Sequence, residues 1–359
     1  MLDFITETTT VWEFLQKTDR PIVLYGMGNG ADKILTQLAA LGKKPAGIFA
    51  SREFVRGQQF HGLTVQTYEA LRQQLGDFVI VLAFASERPE VLARFYELAA
   101  AQTVVAPHVP VFAGDEVLTP ALVQDQAEKI ATVYRRLADD QSRQVLAGAL
   151  NYKLSGKVSY LEKITTARRD DLQLLTLGRH EVYVDGGAYN GDTLREFMEL
   201  TGGSYAKIYA CEPDARNFKK LQALVQEQQW PRVQCVPQGL WSTKTELAFS
   251  ATSGRQAALL TELGTAKKTV PVPVTSLDEL LGTDQATYIK LDVEGAELPV
   301  LQGAAIQLRG RPKLLVAAYH HDRDLWELPL ALWQACPEYK IYLRKHPYVP
   351  DWELNFLAL

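Results

Sequence analysis

The run Val182-Tyr183-Val184-Asp185-Gly186-Gly187-Ala188-Tyr189-Asn190-Gly191-Asp192-Thr193 constrains this chain more than any other segment. An apolar strand ends in an acid and passes through small residues into the start of a helix. Glycines let a ligand come close to the backbone, and a helix start presents free N–H groups to a negative group such as a cofactor carboxylate. The spacing is Asp-x-Gly-x-x-x-Gly, whereas a pyrophosphate cradle more usually reads GxGxxG. A tight turn that binds nothing can carry the same residues, so the turn gains meaning only from its neighbours.

The same strand, glycine turn and helix alternation occurs twice. Residues 21–25 run into Gly26, Gly28 and Gly30, and a helical pattern at Ile34, Leu35, Leu38 and Leu41 stops at Gly42. Residues 46–50 and 78–83 read as further buried strands, with 68–75 helical, so residues 20–115 form a small βαβ unit with a parallel sheet. Thr119-Pro120 is an N-cap and first-turn pair. Helices follow to about Gly156. From Glu181 the pattern restarts, with strands at 182–185, 207–211, 233–237, 288–292 and 313–318. Residues 339–343 and 352–358 suit an antiparallel closing pair. The fold class is therefore α/β, with two doubly wound Rossmann-like domains. Their expected limits are 1–118 and 181–359, and 119–180 is a helical connector packed on the second.

Three strand ends carry chemistry. Tyr209-Ala210-Cys211-Glu212-Pro213-Asp214 puts an acid where a carboxylate can accept from both hydroxyls of a ribose. Tyr288-Ile289-Lys290-Leu291-Asp292-Val293-Glu294-Gly295-Ala296-Glu297 puts carboxylates at another strand end, and in an open parallel sheet this turn should face the first glycine turn. The following strand ends Tyr319-His320-His321-Asp322, whose histidines suit a general base or, with acids, a metal. Exposed loop histidines and helix-capping acids are the plain alternatives.

Together these residues resemble the FkbM family of S-adenosylmethionine-dependent methyltransferases. The resemblance rests on 184–193, on Cys211-Glu212-Pro213-Asp214, on Ser276-Leu277-Asp278-Glu279, on 289–297 with Leu301-Gln302-Gly303-Ala304, and on Tyr319-His320 through Pro329. It covers roughly residues 120 to 359. It implies a seven-stranded class I methyltransferase fold and O-methylation of a sugar, glycan or secondary-metabolite hydroxyl. Asp185, Gly187, Gly191 and Glu212 would hold the cofactor, with Gly186, Ala188, Asp192, Thr193, Pro213 and Asp292 around it, and Gln238 near adenine. Asp292, Glu294 and His320 are the candidates for removing the acceptor's proton. No metal site is assigned. Ser253-Gly254-Arg255-Gln256 reads as a substrate-facing loop or a plain surface turn.

Gly26-Met27-Gly28-Asn29-Gly30 looks like the nucleotide-binding turn of Rossmann-type domains, but Ala50-Ser51-Arg52 stands where an NAD site wants an acid. The first domain is then a packing or dimerisation module, or it takes a nucleotide-linked substrate. A sugar-modifying enzyme or oxidoreductase working from that domain is the alternative reading. The formal charge of -4 shows no basic footprint for nucleic acid, and the three cysteines form no CxxC pair. Neither a secretory signal nor an eighteen-residue apolar run occurs, so a cytoplasmic protein with no membrane span is expected. Its partner is a small-molecule or glycan acceptor, and a homo-oligomer is left open.

Overall fold

The computed structural model describes residues 2–109, 115–250, 259–260 and 269–359. The first sheet contains β1 (Ile22–Tyr25), β2 (Gly47–Phe49), β3 (Gln59–Phe60), β4 (Leu63–Gln66), β5 (Val79–Leu82) and β6 (Val104–Val105), in the order β3-β4-β2-β1-β5-β6. Every residue of β1, β2 and β5 is buried, which is why these strands read as continuous apolar runs. The sheet is parallel except at its edge, where β3 and β4 form an antiparallel hairpin. That edge corrects the all-parallel expectation. The chain reverses at His61 and Gly62, both at positive φ (48° and 78°), a primed-type turn built on His-Gly instead of the usual Asn-Gly or Asp-Gly.

The second sheet contains β7 (Val182–Gly186), β8 (Lys207–Cys211), β9 (Val233–Val236), β14 (Tyr288–Leu291), β15 (Lys313–Ala317), β16 (Ile341–Lys345) and β17 (Leu354–Ala358). Its order is β16-β17-β15-β14-β7-β8-β9. β17 runs antiparallel to both β15 and β16, so the seven-stranded sheet with an antiparallel closing pair is present as expected. Between β9 and β14 the chain builds a small additional sheet of β10 (Gly239–Leu240), β11 (Thr245–Ser250), β12 (Leu259–Leu260) and β13 (Thr269–Thr275). This sheet was not anticipated. The 253–256 loop falls outside the described residues.

Between the sheets lie the helices of 120–172. Thr119 caps the first of them by accepting from the Leu122 amide, with Pro120 in the first turn. The helix Asp140–Ser155 starts at the cap Asp139 and stops at Gly156 in the left-handed conformation. It is buried on nearly all sides and lies against β16. The main apolar core runs without a break from β1 and β5 through Val145 and Leu150 into β14 and β17. Backbone bonds also cross between the parts: Ser86 and Val349 exchange both amide–carbonyl bonds, and the Ala106 amide donates to Gly156.

Beside these bonds sits a buried quartet of charges. Lys153 Nζ lies 2.8 Å from Asp322 and 2.7 Å from Asp351, and His108 lies 2.8 Å from Asp322. No helix among the described residues is long and apolar enough to cross a membrane.

Candidate functional site

Two strands that lie side by side diverge in connection at β7 and β14, so their carboxyl ends open a crevice. The register sets Asp185 opposite Lys290 and Gly186 opposite Leu291, so both turns leave the sheet at the same level. A cavity of about 440 Å³ lies there, inside the roughly 300–1,000 Å³ range of small-molecule sites.

The glycine turn is shaped by its close approach to β14. Gly187 has φ +77°, and a Cβ on it would lie 1.9 Å from the Asp292 carbonyl oxygen. Gly191 has φ +88° and would place a Cβ 2.4 Å from Leu224. Only glycine meets both demands. Tyr189 between them is held at φ 46°, a strained conformation for a side chain of that size.

Asp185, expected among the cofactor-binding residues, lies near the end of β7. It is fully buried beneath the turn, accepts from the Thr193 hydroxyl, and lies 3.2 Å from Lys290 Nζ. Lys290 in turn donates to the carbonyls of Gly187 (2.7 Å) and Gly186 (3.2 Å). The pair braces the turn from below, and neither Asp185 nor Gly186 lines the cavity. Ala188 and Gly191 are likewise off its wall, whereas Gly187, Asp192 and Thr193 are on it.

Glu212, at the end of β8, lines the cavity with Pro213. One carboxyl oxygen accepts from the Tyr189 amide and the other from the Asp214 amide, each at 2.8 Å. The side chain thus ties the glycine turn to β8 while each oxygen keeps a further lone pair for the cavity. Burial pushes its carboxyl up to about 7. Gln238 does not reach the cavity; its neighbours Gly239 and Leu240, in β10, form that wall.

Asp292, Glu294 and His320 converge on the same cavity wall. His320 Nε2 is 3.6 Å from both Asp292 Oδ1 and Glu294 Oε2, and its Nδ1 is 3.0 Å from Glu297 Oε1. Burial would lower the imidazole, but Glu297, Asp292 and Glu294 outweigh it and raise it to about 10. Burial pushes the Glu294 carboxyl up to about 7. Burial also acts to raise Asp292, yet the Lys290 and His320 charges win and hold it below the usual carboxylate range. Asp292 Oδ1 also accepts from the Tyr319 hydroxyl at 2.9 Å. Glu294 sits at φ 54° and Glu353, on the same wall, at φ 63°, so with Tyr189 three non-glycine residues of this site are strained.

Asp292, Glu297 and His320 offer donor atoms within 4.8 Å of one another. The imidazole lies between the two carboxylates, with one at each ring nitrogen, and it is protonated in this field. Without an ion the three side chains form an ion-pair chain.

Several wall residues went unremarked in the sequence. Arg168 is clamped by Glu196 (2.7 and 2.9 Å) and Glu353 (3.0 Å). Tyr348 and Trp352, rings 5.3 Å apart, come from the turn between β16 and β17. These lie far from any motif. Lys290 alone left a trace, as a single charge inside an apolar strand. His321 pairs with Asp115 at 2.7 Å, outside the cavity wall. In the first unit, Ser51 stands where a ribose-binding acid would be and bonds to the Tyr25 hydroxyl at 2.9 Å.

Residues 185–349 match the family described as Methyltransferase FkbM domain. Among solved structures, the crystal structure of methyltransferase FkbM from Methylobacillus flagellatus KT is similar at TM-score 0.75 and 20% identity. That match covers 100% of this chain and 96% of the other, so the shared fold spans both sheets. An rRNA methylase from Streptococcus thermophilus matches at TM-score 0.34 and 13% identity, over 53% of this chain and 92% of that one. A putative methyltransferase from Streptococcus mutans in complex with SAH matches at TM-score 0.33 and 13% identity, over 54% and 99%. No curated protein matches the chain.

Proposed function

We propose that this protein, whose residues 185–349 match the methyltransferase FkbM domain, is a methyltransferase that transfers the methyl group of S-adenosylmethionine to a hydroxyl of a sugar, glycan or secondary metabolite. The observation that carries this reading is that one cavity is lined both by Glu212 with the Gly187 turn and by Asp292, Glu294 and His320. In this reading residues 1–118 are the first domain, 119–180 the connector and 181–359 the catalytic domain.

The chain's own residues fit the cofactor. The Gly187 turn is a cradle that a Cβ would disrupt, and Glu212 keeps free lone pairs toward the cavity for ribose hydroxyls. Gly239 and Leu240 present backbone and an apolar face beside it, which suits adenine better than Gln238 does. Asp185 and Lys290 act as positioning residues that hold the turn. When bound, S-adenosylmethionine supplies a methyl group on a positively charged sulfur that leaves as a neutral thioether.

The remaining work is alignment and removal of one proton. Glu294 is the general base, since a carboxyl near 7 is free to take a proton at neutral pH and holds it well enough to be useful. His320 stays protonated, so it serves as a fixed positive charge between carboxylates, not as the base. Asp292, held ionised, accepts a hydrogen bond from the acceptor and keeps Tyr319 in place. The acceptor oxygen forms its bond to the methyl carbon as the carbon–sulfur bond breaks, and its proton goes to Glu294. Tyr348 and Trp352 add aromatic surface to the cavity wall.

Thermal denaturation with S-adenosylhomocysteine tests the cofactor reading. The ligand should raise Tm, and Glu212→Ala should abolish the rise. An unchanged Tm of the unaltered protein at millimolar ligand ends this reading.

A further inference from the structure

The cavity wall is not built from the methyltransferase domain alone. Lys33, Glu87 and Val109 line it from the first 118 residues. Lys33 belongs to the helix Asn29–Ala40 that follows the first glycine turn, and Glu87 follows β5. β1 and β5 are neighbours at the point where the first sheet reverses its strand order, so both residues stand at that sheet's own ligand crevice. The crevices of the two sheets therefore open into one space.

The charges on that wall are unequal in their partners. Of its three lysines and arginines, Arg168 is held by Glu196 and Glu353, and Lys290 is held by Asp185. Lys33 has no ion-pair or hydrogen-bond partner among the described residues. It is half-buried, and the loss of water around it lowers its ammonium below the usual lysine value. A desolvated cation on a ligand wall, bonded to none of that wall's carboxylates, is a site lacking a direct counter-charge. The sulfonium of the cofactor is itself positive, and in the methyltransferase reading the cofactor's one carboxylate is taken by the free N–H groups of the helix start after the Gly187 turn. The acceptor can supply the counter-charge.

We propose that Lys33 binds an anionic group, a phosphate or a carboxylate, on the methyl acceptor, so that the first domain selects the substrate that the second methylates. This rests on the methyltransferase reading above. Glu87, exposed on the same wall, accepts hydrogen bonds from acceptor hydroxyls beside the anion. With Lys33 as a charged anchor and Glu294 as the base on one cavity wall, a hydroxyl-bearing acceptor is held at two points.

Calorimetric titration of the full chain with matched sugars tests this. The probes are methyl glucoside, glucose 6-phosphate, UDP-glucose and glucuronate, each with and without S-adenosylhomocysteine. At least one anionic sugar should bind about tenfold or more tightly than methyl glucoside. Which arm gains tells phosphate from carboxylate. Lys33→Met should erase the gain, Lys33→Arg should keep most of it, and the exposed-site control Lys44→Met should leave it unchanged. S-adenosylhomocysteine affinity should be the same in all three variants. Equal binding of neutral and anionic sugars, or a gain that survives Lys33→Met, overturns the proposal. Failure of S-adenosylhomocysteine to bind the unaltered protein would instead defeat the cofactor reading, and the sugar comparison would still report on Lys33.

Discussion

At the scale of single residues, the roles divide by electrostatics more than by residue type. Histidine is the usual general base near neutrality, yet His320 lies among three carboxylates and stays charged to about pH 10. Glu294, which as a glutamate should be a poor base, is raised to about 7 by burial. A base must be deprotonated to act, so kcat should rise with pH through about 7. At pH 5.5 it should be roughly thirty-fold below its plateau, as expected for a single ionisation. Glu294→Gln should lower kcat by about 10²–10⁴ and remove that acid limb, with S-adenosylhomocysteine binding retained. An acid limb that persists in Glu294→Gln would assign the base elsewhere. The motif made Glu294 and His320 visible together; their protonation order was not, because it depends on how deeply each is buried and beside what.

Among elements, β7 and β14 and the turns that leave them decide the geometry. Gly187 passes within van der Waals reach of the Asp292 carbonyl at positive φ. Gly187→Ala should therefore destabilise the protein by about 1–3 kcal/mol, as a strained backbone residue does, and should weaken cofactor binding as the turn is pushed off β14. Urea denaturation and a ligand titration read the two effects separately. Beneath the turn, Lys290→Met would leave the Asp185 carboxylate buried without its counter-charge, a loss of roughly 3–5 kcal/mol. Adding Asp185→Asn to Lys290→Met should recover part of that loss, because a neutral amide is cheaper to bury. No recovery would mean that the pair is not what holds the turn. The glycines and the Asp185-to-Gly191 spacing were plain in the sequence. That Asp185 lies beneath the turn, paired with Lys290, follows from the register of β7 against β14, which only strand pairing reveals.

Across the whole molecule, the first unit, the connecting helices and the second sheet meet at the His108, Lys153, Asp322 and Asp351 quartet. Lys153 and His108 hold both aspartates well below the usual carboxylate range against the opposing effect of burial. The same aspartates raise His108 to about 9 although burial and Lys153 act to lower it. For a raised histidine, stability is fully present below its unfolded value near 6.5. It is lost as pH climbs through 9. For lowered aspartates it is present above about 4 and lost as pH falls below that. Tm should therefore decline between pH 6.5 and 9, and His108→Gln should flatten that decline while lowering Tm at pH 6. Hydrogen exchange at the Ala106 and Val349 amides, which cross the junction, should quicken over the same range. An alkaline decline unchanged in His108→Gln would remove this histidine as its source.

What the sequence determined by itself was local: apolar runs that must be buried, glycines where the backbone must turn, and acids at strand ends. These follow from nearest neighbours along the chain, and they were enough for the doubly wound class, the closing antiparallel pair and most of the cavity's acids. The hairpin at 59–66 was missed because short half-exposed strands carry little hydrophobic signal, and the small sheet after β9 because Pro271 and Pro273 within β13 read against a strand. Only the tertiary structure decided that Arg168, Tyr348 and Trp352 share a wall with Glu212. It alone brought Lys33, some 180 residues earlier in the chain, to the same cavity. The physical reason is the same in each case: burial, proton affinity and charge pairing depend on distance through space, and that distance exists only once the two sheets have packed around their common core.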